Sequence, residues 1–451
     1  MVRLFPWRAS TARASYRCVL GALLVVSVMT PAAAVDVSFG AFQQWLSDNA
    51  AAASEGLPPG TYGQEQLEAL AAYLPPGYRE QFDFPGMTLE LTATRDYPPH
   101  AVYLDATAKF AGQSRIEADG SLAGYTAGQP FSAEQIAAAE AGNAGYMVAW
   151  NQIHRWQNVG YRNEAIVSYI QPTADGSAGT LLEGMRGGGH VDRHVSMFYH
   201  RVYLSGLASR ADSDYRMDVD GADTLLFKEY IEMLDPFDIA GLKLVVERPL
   251  DQSLGDQVNS YLPTERRVRR LSSKERADSW LGTNWTLDDF EGYSGLVMDN
   301  QWRLLGHQVL PHVASSRHTQ AEFHGPTSTV PLDRWQLRRC FVVEAVPRWE
   351  GHPYGRRILF VDEQTYSVAL VLVFDREDRL VKTFATVYEY SEDAAQSSLA
   401  ESTPRWRASI AVNVQDGSAN IARGSKPTEF VDVKPSQVRK IFSVSNLSSG
   451  R

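Results

Sequence analysis

Ser367-Val368-Ala369-Leu370-Val371-Leu372-Val373-Phe374 is apolar at seven successive positions, 368–374. A strand with one face in water alternates apolar and polar side chains, so an unbroken apolar run of strand length requires both faces to be dry. Its neighbours at 340–346, 357–361 and 380–390 are strand-like and joined by turns rich in Gly, Pro, Asp and Glu, the pattern of an antiparallel meander. A connection as short as Asp375-Arg376-Glu377-Asp378 has no room for the crossover helix that parallel pairing needs. The expected class is therefore α+β, mostly antiparallel β, with one face of the sheet covered by a packed helix and the other by a cavity or a second sheet.

Working outward, strands are predicted over 195–204, 223–233, 242–248, 256–262 and 295–304, with a last one over 409–414. Before them, Phe39, Phe42 and Leu46, then Leu67, Leu70 and Leu74, recur at helical spacing on either side of Gly56-Leu57-Pro58-Pro59-Gly60, predicting two short helices. The period changes to two at 87–93, and with 102–110 this predicts a hairpin. Ser132 as N-cap and Gln135 as its capping-box partner predict a helix over 131–141 ended by Gly142. The stretch after Ser391 reads as a loop, and there is no repeat, heptad or low-complexity tract.

Arg3, Arg8, Arg13 and Arg17, with no acid among them, precede an apolar run over 19–29 and then Pro31-Ala32-Ala33-Ala34. That order is a secretory signal, too short in its apolar part to be a permanent anchor, with cleavage expected after Ala34. Loss of four arginines and no acid takes the net charge from -10 to -14. An acidic surface repels nucleic acid and anionic headgroups, so nucleic acid is not an expected partner. Cys340 is the one cysteine left, which precludes an intramolecular disulfide. The expected organisation is a signal peptide over 1–34, a helical extension over 35–85 and the antiparallel domain over 86–451.

The run Arg266-Arg267-Val268-Arg269-Arg270 invites a phosphate reading. On a strand, Arg266, Val268 and Arg270 share one face and Arg267 and Arg269 the other. Two accounts stand open: ion pairing with Glu265, Asp288, Asp289 or Glu291, or capture of an anionic headgroup or a partner's acidic surface by Arg266, Arg267, Arg269 and Arg270. Asp288, Asp289 and Glu291 lack the regular oxygen-ligand alternation of a hand-type calcium loop. His307, His312, His318 and His324 lack zinc-site spacing. Ser294 misses the nucleophile-elbow spacing by one residue, and Cys340 reads as a packed strand residue. The chain thus shows no catalytic, metal or cofactor signature. For an apolar ligand, the candidate wall is Trp302, Phe341, Val343, Leu370, Leu372 and Phe374.

Four stretches carry a resemblance to a family: Met233-Leu234-Asp235-Pro236-Phe237-Asp238; Tyr261-Leu262-Pro263 with the arginine run; Asp288-Asp289-Phe290-Glu291-Gly292-Tyr293-Ser294-Gly295; and Arg339-Cys340-Phe341-Val342-Val343-Glu344-Ala345 with the hairpin through Tyr366. They resemble the family of exported bacterial proteins called domain of unknown function 1329. That resemblance implies a periplasmic open half β-barrel wrapped around helices, similar to the chaperone that carries lipoproteins to the outer membrane. It implies a carrier or adaptor, not an enzyme, that moves a lipid or other apolar cargo beside a resistance-nodulation-division type exporter and an outer-membrane β-barrel. An envelope assembly scaffold and a secreted hydrolase are the alternatives. Where many relatives carry Asn, Asp-Gly, Ile-Pro and Trp, this chain reads differently over 142–151, which places it in a divergent subgroup.

Overall fold

The computed structural model describes residues 37–50, 56–390, 398–399, 402–426 and 428–448. The expected signal peptide and most of the loop after Ser391 lie outside those residues. In chain order the strands are β1 (Gly60–Gly63), β2 (Thr88–Leu91), β3 (Gly160–Gln171), β4 (His190–Tyr203), β5 (Leu225–Asp235), β6 (Lys243–Pro249), β7 (Gln257–Leu262), β8 (Arg267–Leu271), β9 (Asn300–His312), β10 (Arg334–Pro347), β11 (Arg356–Asp362), β12 (Val368–Phe374), β13 (Leu380–Glu389), β14 (Arg405–Asn413) and β15 (Ala419–Gly424). They join one sheet in the order β1-β2-β10-β11-β12-β13-β14-β15-β3-β4-β5-β6-β7-β8, with β9 beside β10. Neighbours are antiparallel except β2 and β10. The sheet does not close: β8 and β1 end the order.

The helices are α1 (Phe39–Asn49), α2 (Ala101–Lys109), α3 (Ala133–Ala138), α4 (Ala141–Ile153), α5 (Pro435–Ile441) and α6 (Val444–Ser448), with several short 3-10 turns and two-residue strands besides. One apolar core gathers Phe341, Val343 and Val371 from β10 and β12, Val202 and Val245 from β4 and β6, and Val148 and Trp150 from α4. Strands from both halves of the order feed that one core, so the sheet curls around it as an open half-barrel with α4 inside. The outer face has its own core. There Phe39, Phe42 and Leu46 of α1 meet Phe360, Leu372 and Phe374, with Phe39 edge-on to Phe374 at 5.5 Å and Phe42 edge-on to Phe360 at 6.3 Å.

β12 is buried along its whole length, as the apolar run requires. Val371 and Val373 point inward, and Leu370, Leu372 and Phe374 point onto the outer core. A bulge opposite Phe360 and Val361 sets that phase. Elements of the same chain cover both faces of β12, α1 outside and the turn at Leu287–Gly292 inside.

Two local expectations are corrected. The stretch 102–110 is helix through Lys109, not the second arm of a hairpin: His100 caps α2 by accepting from the Val102 amide at 3.2 Å, and Tyr103 and Ala106 bury one face at a helical interval of three. The alanines at 101, 106 and 108 favour helix over the strand tendency of Val102 and Tyr103. Gly142 does not end a helix. α3 keeps the Ser132–Gln135 capping box but stops at Ala138, and Gly142 falls in the first turn of α4.

Gly145 lets α4 lie directly on β9, since a Cβ there would sit 2.5 Å from the Arg303 backbone nitrogen and 2.7 Å from its Cα. Gly145→Ala is expected to lower stability by about 1–3 kcal/mol through overpacking, despite the ~1 kcal/mol that alanine ordinarily gains in a helix. A raised denaturant midpoint for that variant would contradict this packing.

Candidate functional site

The inner face is not filled uniformly. Residues 273–299 form no regular strand or long helix but fold across it in successive 3-10 turns. Buried ion pairs hold this segment down. Arg248 grips Asp256 with two bonds, Nε to Oδ1 at 2.5 Å and Nη2 to Oδ2 at 2.9 Å. Arg276 bridges onward from Asp256 at 2.8 Å to Asp288 at 2.8 Å. Asp289 accepts from the Thr286 amide and hydroxyl at 2.8 Å each, from the Tyr354 hydroxyl at 2.9 Å and from Arg357 at 3.0 Å. Glu291 accepts from Arg155 at 2.6 Å and from the Tyr161 hydroxyl at 2.7 Å.

Removing such charges from water is costly unless they are paired and hydrogen-bonded, and each of these carboxylates is. Glu291 is additionally held at φ 50°, a left-handed conformation that costs a non-glycine residue on the order of 1 kcal/mol. The two bonds to its carboxylate fix it there.

Between the strapped segment and the sheet lies a cleft of about 560 Å³ including its open mouth. Its sheet wall is Tyr161, Asn163, Ala165 and Val167 of β3, Met197 and Tyr199 of β4, Trp406 and Ser409 of β14, and Ala422 of β15. Its roof is Trp280, Trp285, Asp289, Phe290 and Glu291. Aromatic faces dominate: Phe290 stacks on Tyr199 at 6.1 Å and meets Trp280 edge-on at 5.7 Å. The lining matches that of small-molecule sites, apolar with a few polar groups.

The residues expected to form an apolar ligand wall do not line this cleft. Trp302, Phe341 and Val343 lie in the inner core and Leu370, Leu372 and Phe374 in the outer one. The Trp302 indole donates to the Val297 carbonyl at 2.8 Å. Period-two alternation sends neighbouring strand residues to opposite faces, and α1 and α4 pack over both, so these six are core.

The arginine run is likewise placed differently from the strand reading. Arg266 sits in the turn before β8 at φ 52°, and only 267–271 are strand. Arg267 and Arg269 pair with Glu265 at 2.7 and 3.5 Å. Asp288, Asp289 and Glu291 pair instead with Arg276, Arg357 and Arg155, so no metal-binding trio is left of them.

The histidines do not converge. His307 meets Glu363 at 2.6 Å, His318 meets the Leu332 carbonyl at 3.0 Å, and His324 packs against Phe84. Burial pushes the His312 imidazole down to about 4. It also pushes the Cys340 thiol well above its usual range, which fits a packed side chain rather than a nucleophile. Ser294 Oγ has Arg201 at 3.4 Å. Among the described residues no group of His, Cys, Asp and Glu could hold a metal ion.

Sequence reasoning missed Trp280, Trp285, Trp406 and the β3 wall. The available signal was the alternation Tyr161, Asn163, Ala165, Val167, and the position of Trp280 and Trp285 just before the Asp288-Asp289 motif.

Residues 63–448 match the family model described as protein of unknown function, DUF1329. The chain belongs to the DUF1329 family. Among solved structures it is similar to a DUF1329 family protein from Desulfovibrio piger, at 17% identity over 68% of this chain and 100% of that one, with a TM-score of 0.44. It is also similar to a LolA superfamily protein from Nitrosomonas europaea, at 12% identity over 66% of this chain and 97% of that one, with a TM-score of 0.35. No curated protein sequence matches the chain. The DUF1329 match spans the whole ion-pair lattice and the cleft, whereas α1, which seals the outer face, precedes it.

Asp256 is the hinge of the lattice in this DUF1329 protein. Burial opposes its charge, but Arg248 and Arg276 outweigh that and hold its carboxyl below the usual carboxylate range. A depressed carboxylate contributes stability above its unfolded pKa, ~3.9, and loses it as pH falls through the lower folded value. Asp256→Asn, which leaves two buried arginines without their shared counter-charge, is expected to cost about 3–5 kcal/mol at neutral pH. The difference from wild type should shrink as pH drops below ~4. Equal denaturant midpoints at pH 7 would show that the lattice does not hold the segment.

Proposed function

We propose that this DUF1329 protein is a cell-envelope carrier that shelters an apolar ligand in the cleft between its inner sheet face and the segment 280–291. The observation that carries this reading is the cleft lining, in which Trp280, Trp285 and Phe290 of the roof face Val167, Met197 and Trp406 of the sheet wall. Covering such surfaces gains roughly 25 cal/mol per Å², a driving force that needs no catalytic group. The N-terminal signal expected from the sequence supports export to the periplasm. Among the described residues no helix is long and apolar enough to cross a membrane. In this reading the carrier passes cargo between a resistance-nodulation-division type exporter and an outer-membrane β-barrel.

A second reading, an assembly scaffold, is favoured by one specific observation: apart from the cleft, the inner face is packed by the chain's own α4 and by Tyr293 and Val297. The deciding experiment is organic extraction of the purified protein followed by mass spectrometry. A reproducible apolar compound is expected, and its retention should fall roughly tenfold when Trp280 and Trp406 are both changed to Ala, with circular dichroism unchanged. A clean extract with stable co-isolation of membrane proteins would support the scaffold, and a clean extract with ester or glycan turnover a hydrolase.

A further inference from the structure

An open sheet leaves edges whose backbone donors and acceptors face solvent, and proteins normally cover or disarm them. The edges are treated differently here. β1 has four residues. α4 lies against β9, with Gly145 on the Arg303 backbone and the Tyr146 hydroxyl donating to the Asn300 carbonyl at 3.2 Å. β8 pairs with β7 on one side, and among the described residues its backbone bonds to nothing on the other. The strand with this unpaired edge carries the densest positive charge of the sequence. Arg266, Arg267, Arg269 and Arg270 are all exposed, and among the described residues Glu265 is the only carboxylate that pairs with any of them.

We propose that β8 is a docking edge for an acidic extended segment of a partner protein. That segment adds to the sheet as one more strand, held by main-chain hydrogen bonds, and sets its carboxylates beside Arg266, Arg267, Arg269 and Arg270. Two features select this occupant. Arg267 and Arg269 lie on one face of β8 and Arg270 on the other. An added strand also alternates its side chains between both faces, so it answers both sets, whereas a planar anionic membrane meets one. Pairing β8 with β8 of a second copy would set arginine against arginine, and like charges directly opposed destabilise a strand pair. The chain as a whole is acidic, with a net charge of -10, which repels a polyanionic surface. The proposal is independent of the cleft, so its failure leaves the carrier reading untouched.

The test uses the purified protein and a short fluorescent peptide of alternating Glu and Val, the same peptide N-methylated at alternate amides, its Lys-Val counterpart, and vesicles of phosphatidylglycerol and phosphatidylcholine. The Glu-Val peptide should bind, and the N-methylated and Lys-Val peptides should not. The variant R266Q/R267Q/R269Q/R270Q should bind it roughly tenfold more weakly, the sum of several exposed ion pairs, with an unchanged melting temperature because all four side chains are exposed. Equal binding of the N-methylated peptide would overturn strand addition. Preference for the vesicles would replace the partner by a membrane. Failure of the Glu-Val peptide to bind would mean that the arginines only keep the edge from pairing.

Discussion

The lattice Arg248–Asp256–Arg276–Asp288, with Arg357–Asp289 and Arg155–Glu291 beside it, is what gives the inner face its shape. The residues it holds have little regular structure of their own, and the ion pairs share with buried Trp280, Trp285, Tyr293 and Val297 the holding of residues 273–299 across the sheet. Buried pairs of this kind are weak evidence for net stability but strong evidence for a fixed arrangement, because breaking one leaves a charge stranded. The strap that results is what turns a broad curved face into a cleft walled by aromatic rings.

The two faces of the sheet divide the work. On the outer face α1 closes over Phe360, Leu372 and Phe374 in a dry core with aromatic contacts. On the inner face α4 fills the half near β9 and β10, where Gly145 permits close approach. The strap roofs the half near β3 and β14. The remaining space therefore lies away from the apolar run of β12, under residues whose polarity is mixed. Asn163 and Ser409 sit among the aromatic groups there, and Asp289 and Glu291 are neutralised by arginines.

The sheet was legible in the sequence wherever turns were short and strands consecutive, as in the meander from β10 to β13, because local pairing there needs no information from elsewhere in the chain. The cleft was not. Its wall forms only when β15 pairs with β3, bringing Ala422 beside Val167 across more than half the chain, and nothing in either stretch announces the other. The six residues read as a ligand wall lie in the two cores for a related reason: apolarity marks burial, but does not say whether a helix or a void provides it. The acidic motif at Asp288 and Asp289 stood out by composition, yet its partners Arg276 and Arg357 lie outside the conspicuous run at 266–270, which pairs elsewhere. The DUF1329 resemblance, by contrast, was carried by short local motifs and needed no tertiary information.

The central claim is that an apolar guest occupies the strapped cleft and not the packed cores. Photolabelling with a diazirine-bearing fatty acid, followed by peptide mapping, addresses it most directly. The account predicts saturable labelling, competed by the unlabelled acid, on peptides containing Trp280, Trp285, Val167, Met197 and Trp406. Labelling concentrated on Phe341, Leu370 or Leu372, or labelling that never saturates, would contradict it.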